Sequence, residues 1–486
     1  MKDQSYFLAK AEENRPQIYY RNVLPKLEKV VVASGDSFVL DFSEHLVGHL
    51  SFEMDIADDF IDSPAKLIVK FGEDMREIED DFSLYRGTLS KTWLQEETLL
   101  LDYPQKVKMP RRYSCRFVKI TVESAARPVV LFGFCFTAST SADMRKLSSA
   151  KTSDPYLQKI DKVSVATLRD CMQAFFEDGP KRDRRLWIGD LRLEALTNYH
   201  TFENFDIVKR CLYLFAAGEL SETGFLPSFV YETPYFFSGH AHIADYALLY
   251  VAAVCDYYKY SSDIDTVSDL IDLCKMQIDG FKNILDENGI VTPQKGWFSF
   301  IDWCPDLCKF TALQGVFLYA LERFTELLRS IGDGDFEKYA SLLVKTRENS
   351  KNRLYNSEKG LFVNSYDQNQ ISIHSQVWMI LGGAIEGETA IKALKAAMDE
   401  PSAKRPVTPY MWHYVVEAML ELGLKDEATR LIKEFWGGML EQGADTFYEV
   451  YLPENPDFSP YGDRMINSLC HAWSCTPSYF IRKYDL

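Results

Sequence analysis

Residues 177–191 bring together three aspartates, four Lys or Arg residues and a tryptophan in one short segment, EDGPKRDRRLWIGDL. Pro180 and the glycines Gly179 and Gly189 interrupt a regular helix here. A broken backbone of this kind can point several carboxyl groups at one place. The aspartates of the segment are Asp178, Asp183 and Asp190.

Clustered carboxyl groups are suited to glycoside hydrolysis. One carboxylic acid protonates the leaving oxygen, and a second carboxylate activates water or attacks as a nucleophile. Nearby arginines can pair with the carboxylates, or they can bind sugar hydroxyl groups through their planar set of donors. Trp187 adds an apolar face against which the C–H groups of a sugar ring can pack. The alternative interpretation is a solvated loop whose charges pair only with one another.

A second acidic loop lies further along the chain, where residues 443–455 read GADTFYEVYLPEN. Glu449 follows Phe447 and Tyr448, and an aromatic environment can desolvate a carboxylate and shift its pKa. Taken alone, Glu449 could equally be an exposed loop glutamate. Its significance depends on whether the fold brings it close to residues 177–191.

The first part of the chain predicts an antiparallel β-sandwich over residues 1–145. Its apolar segments are short and rich in β-branched and aromatic residues, turn residues separate them, and no long helical pattern interrupts them. The predicted strands are residues 29–34, 37–42, 49–56, 65–72, 97–103, 113–122 and 128–136.

Residues 146–486 change to a helical period, and we expect no strands there. Asp154 and Pro155 predict the first helix start, with Asp as the N-cap and Pro in the first helical position. About a dozen helices favour an (α/α)6 barrel of six hairpins, in which sites form at one end from the connecting loops. The later predicted helices span 190–204, 205–217, 240–260, 263–286, 306–331, 334–353, 371–382, 387–399, 408–423, 425–441 and 467–482.

Closing such a barrel would bring its last loops beside its first loops, and so would place Glu449 near residues 177–191. Two carboxylate loops on one rim would provide the acid and the base of a glycosidase.

The order of these motifs resembles the bacterial α-L-rhamnosidases, glycoside hydrolase family 78. Residues 178–190 are similar to the acidic loop of that family, in which an aspartate, an arginine, the general acid and a W-x-G-D run follow one another. Residues 443–449 are similar to the loop with the general base, and residues 468–472 to a helix start whose histidine reaches the sugar. The resemblance extends to the segments 39–54, 66–74 and 111–120.

The resemblance implies an inverting enzyme that needs no cofactor and releases terminal L-rhamnose from small glycosides or oligosaccharides. Asp183 would protonate the glycosidic oxygen and Glu449 would activate water, with the two carboxyl groups roughly 6.5–9.5 Å apart. Rhamnose is a 6-deoxy sugar, and its methyl group suits packing against tryptophan. The residues that would bind the sugar are Asp178, Arg182, Trp187, Asp190 and His471.

One residue departs from the family pattern, because the acid is normally a glutamate and Asp183 is one methylene shorter. A displacement of ~1 Å can reduce the rate about a hundredfold. Either the loop lies closer to the substrate, or the substrate differs, or Glu194 contributes, or the activity is weak. Two alternatives therefore stay open: a glycosidase of the same fold for a different sugar, and a weakly active or inactive sugar-binding protein.

A further aromatic and acidic loop contains Trp297, Asp302 and Trp303. Its position between two predicted helices makes Asp302 and Trp303 candidates for a wall of the sugar site. The alternative is a buried aromatic plug under a loop.

Composition disfavours several other classes of protein. The net charge of −17 argues against nucleic acid and anionic membranes as partners. No window of ~18 apolar residues predicts a membrane span, and the N-terminus lacks a signal-like apolar region. The ten cysteines are scattered without zinc-site spacing, which predicts free thiols in the cytoplasm and no metal. The expected partner is a small carbohydrate, and whether the chain forms a homo-oligomer stays open.

Overall fold

An antiparallel sheet domain is followed by a helical domain in a computed structural model, which describes residues 2–58, 63–292, 298–364 and 370–486. The sheet strands are β1 (Tyr19–Val23), β2 (Lys29–Val32), β3 (Ser37–Ile56), β4 (Ala65–Gly72), β5 (Glu96–Leu101), β6 (Gln105–Lys108), β7 (Tyr113–Ser124) and β8 (Val129–Thr140). Their order is β1-β8-β3-β7-β4-β5, with β2 beside β8 and β6 beside β3. The helices α1 (Gln4–Glu13) and α2 (Met75–Glu79) lie among them in sequence.

The longest strand, β3, joins two segments that the sequence predicts as separate strands. It pairs with β7 in its first half and with β8 and β6 in its second half, and the register shifts between Asp41 and Leu46. Ser43 has a left-handed backbone at this point, with φ of 63°. A local irregularity of this kind bends a strand without ending it, so Leu40 and Leu50 both stay in the core. The mostly exposed strands β1 and β6 show little alternation and were not predicted.

The helical domain contains most of the predicted helices, with ends that differ by a few residues. The last predicted helix, residues 467–482, is wrong in its first half, because residues 467–471 are irregular, a 3₁₀ turn occupies Ala472–Ser474, and the helix begins only at Pro477. The helices are α3 (Pro155–Cys171), α4 (Ile188–Tyr199), α5 (Phe205–Ala216), α6 (Ala244–Ser261), α7 (Ile264–Phe281), α8 (Phe310–Ile331), α9 (Phe336–Leu354), α10 (Ile373–Leu381), α11 (Gly387–Asp399), α12 (Pro409–Glu421), α13 (Lys425–Glu441) and α14 (Pro477–Lys483).

Short strands connect several of these helices, so the expectation of a strand-free second half is wrong. Strands of two or three residues are too short to show the alternation of apolar and polar residues by which a strand is recognised in the sequence. Three of them form a small antiparallel sheet, in which Trp187 pairs with Phe229. The strands are β9 (Leu186–Trp187), β10 (Phe229–Tyr231), β11 (Phe237–Ser238), β12 (Tyr355–Asn356) and β13 (Leu361–Phe362).

The even-numbered helices form a series of contacts: α4 contacts α6, α6 contacts α8, α8 contacts α10, and α10 contacts α12. The 3₁₀ turn Ala472–Ser474 contacts both α12 and α4 and completes this series. All residues of α4 are buried, as expected for a helix packed on every side. The loop before α4 and the loop before Ala472 therefore meet. Among the described residues, no helix is long and apolar enough to cross a membrane.

The first helix, α1, packs on the helical domain although it precedes the sheet domain in sequence. Asp3 caps it by accepting the N–H of Tyr6 at 2.9 Å. Phe7 and Ala11 are buried in the core of the helical domain, and α1 contacts α5. Only these two of its ten residues are buried, so its sequence pattern is weak. A domain boundary at residue 145 therefore places α1 with the sheet domain in sequence, although α1 packs on the helical domain.

The absence of a side chain at Gly315 allows α8 to pack closely against α10. A Cβ atom at this position would lie 2.4 Å from the carbonyl carbon of Trp378, whereas nothing lies within 4 Å of a Cβ at Gly334. Alanine gains only ~1 kcal/mol in helix propensity. We therefore expect Gly315→Ala to lower the free energy of unfolding by about 2 kcal/mol or more, and Gly334→Ala to change it by less than ~0.5 kcal/mol. Urea unfolding measures both, and equal midpoints would contradict this packing.

Candidate active site

The loop between α3 and α4 holds Asp178 and Asp183 in defined backbone positions. The N–H of Asp178 donates to the carbonyl of Arg185 at 2.9 Å, and the N–H of Arg185 donates to the Asp178 carboxylate at 3.1 Å. Asp183 and Arg184 both have left-handed backbones, with φ of 63° and 52°. Non-glycine residues rarely adopt this conformation, so the surrounding contacts must hold the turn. The Asp183 side chain is 20% exposed and is open to solvent.

Glu449 lies almost completely buried beside this loop. One carboxylate oxygen accepts the hydroxyl of Tyr461 at 2.6 Å, and the other accepts the N–H of Ser468 at 3.1 Å and a guanidinium nitrogen of Arg182 at 2.5 Å. Burial alone would raise the pKa of Glu449, but the charge of Arg182 and the hydrogen bonds from Arg182 and Tyr461 lower it to about 2. Glu449 is therefore an ionised carboxylate at neutral pH.

Arg182 links the two predicted catalytic carboxylates. Its guanidinium contacts Glu449 through one terminal nitrogen and lies 3.7 Å from Asp183 through the other. The Nε atom donates to the carbonyl of Ile466 at 3.1 Å, and the group stacks 4.5 Å from the centre of the Tyr461 ring. Because one guanidinium contacts both groups, the nearest oxygens of the two carboxylates lie less than about 9 Å apart, a bound that includes both the ~5–5.5 Å of retaining and the ~6.5–9.5 Å of inverting glycosidases.

Asp178 and Asp190 are buried next to these charges. Burial, followed by the charges of Asp183 and Asp190, raises the pKa of Asp178 well above its usual range. Burial and the charge of Glu449 do the same for the pKa of Asp190. Burial therefore favours the protonated form of both side chains, which can donate a hydrogen bond.

His471 faces Asp190 with an unpartnered ring nitrogen. Its Nδ1 atom lies 3.4 Å from Oδ1 of Asp190, and neither atom has a hydrogen-bond partner within the described part of the chain. Burial lowers the pKa of His471 to about 4, so the imidazole is neutral. Buried polar atoms normally find partners, and these two atoms are available to a bound hydroxyl group.

Aromatic rings surround the carboxyl groups. Trp187 lies 4.6 Å from Phe229 between ring centres, and Trp303 lies 5.9 Å from Tyr461. Trp473 lies 4.2 Å from His471, and its indole N–H donates to the Glu449 carbonyl at 2.9 Å. Tyr461, Ser468 and Trp473 were not predicted as site residues. Trp473 stands two residues after His471, and that closeness is the one signal in the sequence that pointed to it.

Asp302 is occupied by hydrogen bonds within the protein. Its carboxylate accepts the N–H groups of Trp303, Val407 and Thr408, the hydroxyl of Thr408, and Nε2 of His374, at 2.6–3.1 Å. Five donors fill the acceptor sites of a carboxylate. The predicted contact of Asp302 with a sugar stays a prediction. The hydrogen bonds favour a structural role instead, in which Asp302 holds Trp303 and the start of α12 in place. Trp297 lies outside the described residues.

Glu194, the alternative acid, lies one turn after Asp190 in α4. It is fully buried, and neither of its oxygens has a hydrogen-bond partner among the described residues. Burial and the charges of Asp190 and Asp178 raise the pKa of Glu194 well above its usual range. The structure thus brings Asp178, Arg182, Asp183, Asp190, Glu449 and His471 together, with Trp187 and Trp303 beside aromatic neighbours of the group. Of the two candidate acids, Asp183 is the one with exposed side-chain surface.

Two protein-family models match the chain. The N-terminal domain of glycosyl hydrolase family 78 α-rhamnosidases matches residues 13–136, and the six-hairpin glycosidase domain of bacterial α-L-rhamnosidases matches residues 145–484. No curated protein sequence matches significantly.

Solved structures give the same result. A rhamnosidase from Klebsiella oxytoca with rhamnose bound is 37% identical, with a TM-score of 0.96, over 100% of this chain and 99% of that one. The family 78 rhamnosidase of Bacillus sp. GL1 is 23% identical, with a TM-score of 0.79, over 94% of this chain and 47% of the longer Bacillus protein. The Streptomyces avermitilis α-L-rhamnosidase complexed with L-rhamnose is 14% identical, with a TM-score of 0.69, over 96% and 44%. The last two show likeness of fold alone.

Arg182→Met should destabilise the protein in a pH-dependent way. At pH 7 the variant would hold Glu449 as an unpaired buried carboxylate, at a cost of about 3 kcal/mol. In the wild type the pKa of Glu449 falls from 4.5 to about 2, so the stabilisation is present above pH 4.5 and is lost only as the pH falls towards 2. In the variant burial would raise this pKa, and protonation would relieve the cost as the pH is lowered.

The difference in free energy of unfolding between wild type and Arg182→Met should therefore narrow from pH 7 to pH 5. Urea unfolding at both pH values measures it. Arg145→Met is the matched control, because the Arg145 side chain is 79% exposed where it pairs with Asp143, and its loss should have little effect at either pH. A difference that stays constant with pH would show that Arg182 does not hold the charge of Glu449.

Proposed function

The chain belongs to the bacterial α-L-rhamnosidases of glycoside hydrolase family 78, and we propose that it releases terminal L-rhamnose from small glycosides or oligosaccharides with inversion of configuration. The observation that carries this proposal is the buried Arg182, which binds the ionised Glu449 and lies beside the exposed Asp183. The bound rhamnose in the Klebsiella oxytoca rhamnosidase supports the choice of sugar.

In the proposed reaction, Asp183 gives its proton to the glycosidic oxygen while the bond from that oxygen to the anomeric carbon breaks. A water molecule attacks the opposite face of this carbon and loses a proton to Glu449. No covalent sugar–enzyme bond forms, so the configuration inverts. These roles agree with the exposed fractions of the two side chains. Asp183 is partly exposed, and the leaving group must reach it from solvent. Glu449 is buried, and it needs to contact only one water molecule.

The sugar is proposed to bind through groups that lack protein partners. Asp190 and His471 have unpartnered atoms for a hydroxyl group, and Asp178, whose raised pKa favours its protonated form, can donate a hydrogen bond. Trp187 and Trp303 supply apolar faces, which suit the methyl group of a 6-deoxy sugar.

Two finer features belong to the same proposal. The six helix pairs from α3 to α14 are proposed to form an (α/α)6 barrel with α4, α6, α8, α10 and α12 on its inner side, which the series of contacts among these helices supports. A cytoplasmic location is proposed from the cysteines, none of which forms a disulfide within the part of the chain that the structure describes.

The wild-type enzyme should hydrolyse an aryl α-L-rhamnoside at least about 10-fold faster than the other members of a panel of aryl glycosides. Proton NMR during the first minutes should detect β-L-rhamnose before mutarotation, because inversion of an α-glycoside gives the β-anomer. Initial release of the α-anomer would refute the inverting mechanism. Faster hydrolysis of another glycoside would replace rhamnose with that sugar, and no hydrolysis at all would favour a sugar-binding protein.

The two carboxylates should respond differently to the leaving group. Asp183→Asn should lower kcat by about 10²–10⁴-fold on an unactivated rhamnoside and much less on a nitrophenyl rhamnoside, because an activated phenolate needs little protonation. Glu449→Gln should lower both rates strongly, since water activation is needed for either substrate. Glu454→Gln, an exposed residue in the same loop as Glu449, is the control and should leave both rates unchanged. Equal losses for Asp183→Asn on both substrates would move the acid role to another residue.

A further inference from the structure

A buried lysine joins the sheet domain to both loops of the site. Lys181 is 3% exposed, and its ammonium forms an ion pair with Glu77 of α2. It also donates to the carbonyls of Asn467 at 2.8 Å and Met465 at 3.2 Å. An ammonium has three donors, and these three acceptors use all of them. One side chain from the acid loop therefore contacts the sheet domain and the segment that leads to Ser468.

Glu77 is itself held in place by the turn that precedes it. Its second carboxylate oxygen accepts the N–H of Glu73 at 2.7 Å. Glu73 in turn accepts the N–H of Leu469 at 2.6 Å and the hydroxyl of Ser114 at 2.7 Å. The same turn of the sheet domain thus contacts the chain on both sides of Ser468, whose N–H binds the carboxylate of Glu449.

The position of Lys181 determines the position of its neighbour. Arg182 is the next residue, and its guanidinium contacts Glu449 and Asp183. A shift of the Lys181 backbone would move this guanidinium relative to both carboxylates. Misplacement of catalytic groups by 1 Å can cost about a hundredfold in rate.

We propose that Glu77 is a positioning residue for catalysis, which acts through Lys181 to hold Arg182 against the general base. The sheet domain then contributes a residue that positions the catalytic groups. This inference rests on the function proposed above.

Other contacts keep the acid loop folded when Glu77 is altered. Arg112 pairs with Glu177 at 2.6 Å, and Arg184 donates to the carbonyl of Arg112 at 2.7 Å. These contacts do not involve Lys181. A change at Glu77 should therefore displace the loop locally and leave the protein folded.

The test is Glu77→Gln, which keeps the size of the side chain and removes its charge. We expect kcat on a rhamnoside to fall about 10–100-fold with KM changed less than about threefold, because Asp178, Asp190 and His471, the polar groups proposed above to bind the sugar, are not altered. Glu77→Asp, which keeps the charge on a shorter side chain, should recover part of kcat. Glu123→Gln is the matched control, since Glu123 forms an exposed pair with Lys66 in the same domain, and its kcat should equal that of the wild type.

A Glu77→Gln protein with lower thermal stability but wild-type kcat would overturn the inference, and so would a higher KM with unchanged kcat. If Glu77→Gln does not fold, Glu77→Asp decides by the same criteria. A wild type that hydrolyses no rhamnoside would refute the proposed function instead. The crystal structure of Glu77→Gln then decides the inference separately: a displaced Arg182 supports it, and an unchanged contact of Arg182 with Glu449 overturns it.

Discussion

The buried guanidinium of Arg182 is the interaction on which the site depends. Asp178, Asp190, Glu194 and Glu449 are all nearly inaccessible to water, and desolvation favours the protonated form of each. Only Glu449 has a guanidinium against its carboxylate, and only its pKa falls, to about 2, whereas the other three have raised pKa values. One guanidinium therefore distinguishes Glu449 from three buried carboxyl groups whose protonated forms are favoured, and it keeps the proposed base ionised.

The guanidinium of Arg182 must therefore be held in place by its neighbours as firmly as the carboxylates are. Arg182 stacks on Tyr461 and donates to Ile466, and both residues belong to a segment packed against the sheet domain. Arg464 of that segment pairs with Asp80, and the Tyr461 carbonyl accepts the N–H of Thr88. The helical domain alone would leave this segment without these contacts. The sheet domain thus contributes to the geometry of the centre without lending a side chain to the substrate.

Much of the fold could be predicted from the sequence. Long apolar stripes predicted the helices, alternation predicted the buried strands, and the resemblance to family 78 is confirmed. The failures have a common cause. The short strands β9 to β13, the exposed strands β1 and β6, and the first half of residues 467–482 are held by partners distant in sequence, so they carry little local pattern.

The sequence by itself determined which chemical groups are present, their order along the chain, and the family to which the chain belongs. Tertiary structure alone decided how those groups are used. Arg182 and Glu449 are 267 positions apart, and no local pattern states that they pair. The same holds for Asp302, which looked free to bind a sugar but accepts hydrogen bonds from His374 of α10 and from Val407 and Thr408, just before α12. Charge state and hydrogen-bond availability depend on burial and on neighbours in space, and both arise only when distant segments pack together.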